Sequence, residues 1–263
     1  MKSPLRYPGG KSRLAKKILE FIPESVTVAS PFFGGGSVEL ALMVRGEPVI
    51  GNDAFFPLYN FWLNAFVNND AIVSLCDQTL KANPDTYKKL FYSSRIHAQI
   101  CNEPEIEDNY YSAFCYFFVN RCSFSGATLS GGFSQSASEK RFTQSSIDRL
   151  AAVSEHTKAI SLYNFDFRLF LKSFAQDSFL YCDPPYYEID GLYGNNGDMS
   201  FGYEDHLDLA EILKNHPNGW ALSYNDCPQI RELYDGFKFV ELKPSLSMSN
   251  GKKSCPEVLI LSN

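Results

Sequence analysis

The tract "VTVASPFFGGGSVELALMVRGEPVIGND", residues 26–53, constrains this fold more than any other. A short β-branched run meets a proline and three glycines. A helical stretch follows and stops near Gly46, and a second apolar run closes on an acid. Strand, tight turn, helix and strand in that order make a β-α-β unit, which favours a parallel sheet. Upstream, "SRLAKKILEFI" carries Leu14, Ile18, Phe21 and Ile22 at helical spacing. From about Phe55 to Phe124 the pattern is almost all helical, with aromatic stripes in "LYNFWLNAFV", "PDTYKKLFYSSRI" and "NYYSAFCYFFVN" that belong to a core. After "SSIDRLAAV" the alternation resumes through "AISLYN", "FRLFLKSF", "SFLYC", "EDHLDLAEILKNH", "GWALSY", "IRELY", "FKFVEL" and "EVLILS". The helical stretch is therefore an insertion between two parts of one α/β domain. The tract 126–142, "GATLSGGFSQSASEKRF", is rich in Gly and Ser and is expected to form a long hairpin or a mobile loop.

A chain of 263 residues suits one main α/β domain with one inserted lobe. The start, "MKSPLRYPGG", has no apolar leader, and no stretch approaches the ~18 apolar residues of a membrane span. Seven cysteines lack any C-x-x-C pair, and the four histidines are scattered. The expectation is an intracellular, soluble protein with reduced thiols and no metal site. A net charge of −6 argues against nonspecific, charge-driven binding of nucleic acid. Such a partner must meet local basic segments: "KSRLAKK" (Lys11 to Lys17), "EKR" (Glu139 to Arg141) or "GKK" (Gly251 to Lys253), each of which reads equally well as a solvated surface.

Three constellations carry chemistry. Phe32 with Gly34, Gly35 and Gly36 sits between a strand and a helix, where a ligand can approach backbone amides. Dinucleotide enzymes, nucleotide kinases and methyltransferases all use such a turn. Asp53 ends the second strand about 20 residues later, where it can accept from ribose hydroxyls or cap the next helix. "YCDPPYY" follows the apolar run "SFL" and places Asp183 at a strand's carboxyl end. The consecutive prolines Pro184 and Pro185 hold the backbone extended. Asp183 and the Pro184 carbonyl can both accept from one exocyclic NH2, with Tyr186 flat against the ring that carries it.

"DPPYY", "SPFFGGGSVEL" and "SPLRYPGGKSRL" resemble, in content and order, the signature motifs of the Dam-like (D12 class, alpha group) adenine-N6 DNA methyltransferases. "NDAFFPLYN", "FVNRCSFSG", "LSYND" and "SMSNGKKSCPEVLI" are similar to further segments of that family, so the likeness spans nearly the whole chain. The resemblance implies a Rossmann-like α/β methyltransferase fold. Residues 1–55 and 157–263 would form the catalytic domain, and 56–156 a mainly helical target-recognition lobe. It implies S-adenosylmethionine as cofactor, with Tyr7, Lys11, Phe32, Gly34, Gly35, Gly36, Asp53, Asp166, Phe167 and Asp183 around it, and Asp183, Pro184, Pro185 and Tyr186 holding a flipped adenine. Arg6, Asn120, Arg121, Phe124, Asn250, Lys252 and Lys253 would contact double-stranded DNA. A monomer in the cytoplasm of a bacterial or phage-infected cell, in restriction-modification or a related role, is the implied setting. Cytosine-N4 or RNA methylation, or DNA binding without catalysis, are the alternatives.

The sequence departs from the family's pattern in two places. The glycine motif usually reads E-P-F, and here Ser30 stands in the place of the glutamate, removing an acid that could pair with the cofactor's ammonium or with a basic neighbour. No arginine follows shortly after Gly126, where enzymes reading GATC carry a base-contacting one.

Overall fold

The computed structural model describes residues 1–100, 109–187, 201–242 and 256–262. Among these, seven strands form one sheet: β1 (Val28–Ser30), β2 (Val49–Asn52), β3 (Ile160–Tyr163), β4 (Phe179–Cys182), β5 (Trp220–Asn225), β6 (Lys238–Leu242) and β7 (Glu257–Leu261), in the order β3-β2-β1-β4-β5-β7-β6. The five strands from β3 to β5 pair in parallel, and β7 inserts antiparallel between β5 and β6. Val28 opposes Val49 of β2 on one side and Phe179 of β4 on the other, so the strand order reverses about β1. A crevice opens at such a switch point, beyond the carboxyl ends of the strands.

Eleven helices flank the sheet among the described residues: α1 (Ala15–Leu19), α2 (Ser37–Arg45), α3 (Phe56–Val67), α4 (Asn69–Lys81), α5 (Tyr87–Ile100), α6 (Tyr110–Cys122), α7 (Gln135–Arg141), α8 (Gln144–Ala151), α9 (Phe167–Phe174), α10 (Tyr203–Lys214) and α11 (Pro228–Leu233). α9, α10 and α11 cover one face, where Phe170, Leu209, Leu213 and Ile230 pack on Leu180, Leu222 and Ile260. On the other face, α1 to α6 and α8 share one continuous core with Val28, Val49, Tyr181 and Leu259. α6 is buried on every side from Ser112 to Cys122, as its run of apolar residues demands. Its Phe117 stacks on Phe61 of α3 with centroids 6.1 Å apart.

The stretch 126–142 differs from the expected hairpin or loop. Two short 3-10 turns, Phe124–Gly126 and Thr128–Ser130, lead into α7, with a single antiparallel bridge between Ser123 and Phe133. Ser134 makes the difference: its hydroxyl accepts the Ala137 N–H at 3.2 Å and caps α7. Among the described residues no helix is long and apolar enough to cross a membrane.

Candidate active site

The carboxyl ends of β1, β2 and β3 are joined by Asn52, which is fully buried. Its amide donates to the Pro31 carbonyl at 3.1 Å and to the Phe165 carbonyl at 3.0 Å, and its Oδ1 accepts the Phe165 N–H at 2.9 Å. This clasp places Asp53 beside the glycine turn. Asp53 Oδ2 accepts the Gly34 N–H at 2.9 Å and Oδ1 accepts the Phe55 N–H at 3.0 Å. Each carboxylate oxygen keeps a lone pair for a ligand hydroxyl. Burial pushes the Asp53 carboxyl up to about 6.

The turn is tight because another segment lies on it. A Cβ at Gly35 would come within 2.7 Å of the Tyr7 Cβ, so only glycine permits this approach. Trp62 Nε1 donates to the Gly34 carbonyl at 2.9 Å and fixes the turn from the other side. Tyr7 begins a loop whose Lys11 reaches the end of β4.

Lys11 is almost wholly buried. Its ammonium donates to Asp183 Oδ1 at 2.8 Å and to the Gly9 carbonyl at 2.8 Å, and lies 3.8 Å from Glu257 Oε1 and 4.9 Å from the Tyr186 ring centroid. The Tyr186 hydroxyl donates to Glu257 Oε1 at 3.0 Å. Asp183 is thus partly buried and ion-paired. Burial holds its carboxyl above the usual range, Lys11 opposes that shift, and Glu257 adds to it. Glu257 opens an antiparallel strand far from "DPPYY" in sequence, and its only sequence signal is the turn residue Pro256 before an apolar run.

These elements enclose a cavity of about 600 Å³, a size typical of cofactor sites. Tyr7, Lys11, Phe32, Gly34, Gly35, Gly36, Asp53, Asp166, Phe167, Asp183 and Pro185 all line it, together with Glu39 and Phe201, which the sequence did not single out. Pro184 is buried and Tyr186 half-buried just beyond its edge. Phe32, Phe167 and Phe201 meet with centroids 5.4 to 5.6 Å apart and form an aromatic wall. Asp166 caps α9 by accepting the Arg168 N–H at 2.9 Å. Arg168 in turn pairs with Asp166, Asp205 and Asp208. Five acids line the cavity (Glu39, Asp53, Asp166, Asp183 and Asp205) against two bases, Lys11 and Arg168. Such a lining repels polyphosphate and suits a ligand of net positive charge.

The segment expected to touch DNA divides in two. Phe124 is 70% exposed, on a turn where Ser125 takes φ 53°. Asn120 and Arg121 are not surface contacts. Asn120 is fully buried: its Oδ1 accepts the Arg6 N–H at 2.9 Å, and its amide donates to the Arg6 carbonyl at 2.8 Å and to Thr128 Oγ1 at 2.9 Å. Arg121, 5% exposed, donates to the carbonyls of Arg141 at 2.7 Å and Pro4 at 3.2 Å. Both sit on the all-buried α6, so their polar groups serve the main chain of neighbouring segments. Arg6 is half-buried and donates to the Ser123 carbonyl at 3.1 Å, beside Phe124. Asn250, Lys252 and Lys253 lie outside the described residues. Of the basic segments, Lys11 is committed to Asp183 and Lys17 to the Glu241 carbonyl, while Lys140 and Arg141 are exposed. No group of three or more metal-ligating side chains occurs among the described residues.

The chain is 22% identical, over 94% of its length, to the DNA N-6-adenine-methyltransferase of Escherichia phage P1, of which it spans 33%. It is 24% identical over 93% of its length to the DNA adenine methylase of Haemophilus influenzae, covering 87% of that protein. It is likewise 24% identical over 95% of its length to a type II methyltransferase of Lactococcus lactis, covering 89% of it. The model of the D12 class N6 adenine-specific DNA methyltransferases matches residues 7–248, nearly the whole of the sheet and its helices, and the chain belongs to that family.

Proposed function

We propose that this chain transfers a methyl group from S-adenosylmethionine to N6 of an adenine flipped out of double-stranded DNA. One observation carries the reading. Asp183, held by Lys11 and followed by the buried Pro184, stands at the mouth of a cavity whose acidic lining fits a cationic cofactor. In that cavity Asp53 is placed for ribose hydroxyls, and Asp166 with Phe32 and Phe167 for an adenine edge and face. The cofactor, when bound, supplies a methyl group activated on a sulfonium.

The residues of the chain do the rest by position. An adenine amino group is a weak nucleophile because its lone pair is delocalised into the ring. Asp183 and the Pro184 carbonyl, accepting its two hydrogens, would draw the nitrogen toward a pyramidal geometry. The Tyr186 ring, braced by Glu257, would stack on the base and offset part of the few kcal/mol of unstacking. Catalysis of this kind rests on orientation and fixed charges. Residues 1–55 and 157–263 would form the catalytic domain and 56–156 the lobe that meets DNA, with Arg6 and the exposed Phe124 at its surface. The active species would be a cytoplasmic monomer.

Labelled S-adenosylmethionine incubated with duplex DNA, followed by digestion to nucleosides, tests this. Label in N6-methyl-2′-deoxyadenosine is the expected result. Label only in N4-methylcytosine, transfer only to RNA, or no transfer with intact DNA binding would each overturn it. Sequencing the methylated duplex gives the recognition site, which the missing arginine after Gly126 leaves free to differ from GATC.

A further inference from the structure

Among the described residues two glutamates are buried, and they are treated differently. Glu47, 4% exposed, accepts the N–H groups of Ser25 and Val26, both at 3.1 Å, and faces Arg45 Nε at 3.3 Å. Glu39, 2% exposed, lies in the first turn of α2 and lines the cavity. Its Oε1 accepts the Ser30 hydroxyl at 2.7 Å, and backbone N–H groups of Val38 and Glu39 itself also stabilise its charge. Among the described residues no cation pairs with it, for Lys11 is committed to Asp183 and Arg168 to three aspartates. An unmatched buried carboxylate is costly. A helix N-terminus accounts for an acid in the first turn, but such an acid works equally well facing solvent. Facing the cavity, it leaves a place for a positive charge.

We propose that Glu39 is the group that receives the ammonium of the cofactor's amino-acid end. The inference rests on the S-adenosylmethionine reading above. Ser30 is part of the device: where the family carries a glutamate at the strand tip, the smaller serine leaves room for an acid arriving from α2 and orients it by its hydroxyl. The acid is relocated across the glycine turn, not lost. Burial holds the Glu39 carboxyl at about 7, so a bound ammonium would also draw its proton off. The ionisable groups around it are Tyr181 of β4 and Asp183 just beyond it and, through Asp183, Lys11 and Glu257.

Calorimetry with S-adenosylhomocysteine and its deamino counterpart, which differ only in the ammonium, tests the assignment. The wild-type chain is expected to prefer the ammonium-bearing ligand by about 10- to 100-fold. Glu39→Gln is expected to erase that preference by weakening S-adenosylhomocysteine alone. In the wild type, the preference should grow between about pH 6 and about pH 8 as Glu39 ionises, with proton release on binding that the variant lacks. Thermal unfolding adds a readout independent of ligand: removing an unmatched buried charge should leave the cofactor-free variant at least as stable as the wild type above about pH 7.

A variant that weakens both ligands equally, or a wild-type preference that is absent or flat with pH, overturns the assignment. A destabilised variant with an unchanged preference makes Glu39 a helix cap only. A wild type that binds neither ligand removes the cofactor reading itself, and this inference with it.

Discussion

The two ends of the cavity are built from similar polar residues held in opposite ways. At the end formed by β2, β3 and α9, Asp53 and Asp166 are oriented by backbone N–H groups, and Asn52 ties main chain to main chain. At the end formed by β4 and β7, Lys11, Asp183, Glu257 and Tyr186 are held mostly by one another's side chains. Backbone-held groups keep their geometry when a neighbour changes. A side-chain network leaves a charge unmatched when one member is lost, and that cost is higher where water is scarce. The first end is therefore suited to recognising an unchanging ligand, and the second to a reacting centre whose charges must be balanced with each turnover.

Substitutions separate the two ends by size of effect. Asp183→Asn should reduce methyl transfer by at least about 10²- to 10³-fold in single-turnover assays at saturating cofactor. Activity within a few-fold of wild type would remove Asp183 from the base-holding role. Lys11→Met leaves Asp183 and Glu257 facing each other without a cation. The Asp183 carboxyl should then rise further, and the acid limb of the pH–rate profile should move to higher pH, because protonated Asp183 is a poorer acceptor for its N6 hydrogen. Asp53→Asn should cost cofactor affinity about 3- to 10-fold, since one backbone N–H then faces an amide donor, with the transfer rate at saturation nearly unchanged.

The smallest effect is on stability with pH. Asp53, at about 6, and Glu39, at about 7, hold their protons more tightly in the folded chain than in the unfolded one. Their contribution is complete below the ordinary carboxylate range and is lost as pH rises through those values. The melting temperature of the cofactor-free chain should fall between about pH 4 and about pH 7, and less steeply in Asp53→Asn.

Much of this arrangement is legible in the sequence, because strand ends announce themselves. The runs "VTVAS" and "SFLYC" are each followed at once by a cavity residue, Pro31 and Asp183, and "VIGND" ends on one, Asp53, while the glycines between the first two mark a close approach of backbone. Glu39 and Glu257 were not legible. Both are single acids in amphipathic contexts that read as solvated positions, and only the sheet order brings β7 and the first turn of α2 to Asp183. Asn120 and Arg121 misled for the converse reason: polar residues near the end of a helix suggest a surface, whereas α6 runs through the middle of the core and spends them on main-chain carbonyls and amides. The helix α7 was hidden by its own composition, since Gly and Ser upstream mask the Ser134 cap.

Arg6 and Tyr7 are pressed from two directions. A Cβ at Gly126, where φ is 77°, would lie 2.8 Å from the Arg6 Cβ, just as one at Gly35 would strike the Tyr7 Cβ. One dipeptide is thus clamped between the turn that shapes the cavity and the turn that carries Phe124, with bare backbone on both sides. The two glycines are a single mutational unit. Alanine at either has to displace one residue of the same clamped dipeptide, so the pair should be non-additive, the second replacement costing more than it does alone because the first has taken up the room on the other side. A chain drifting in sequence can release this constraint only by re-seating the amino-terminal segment as a whole.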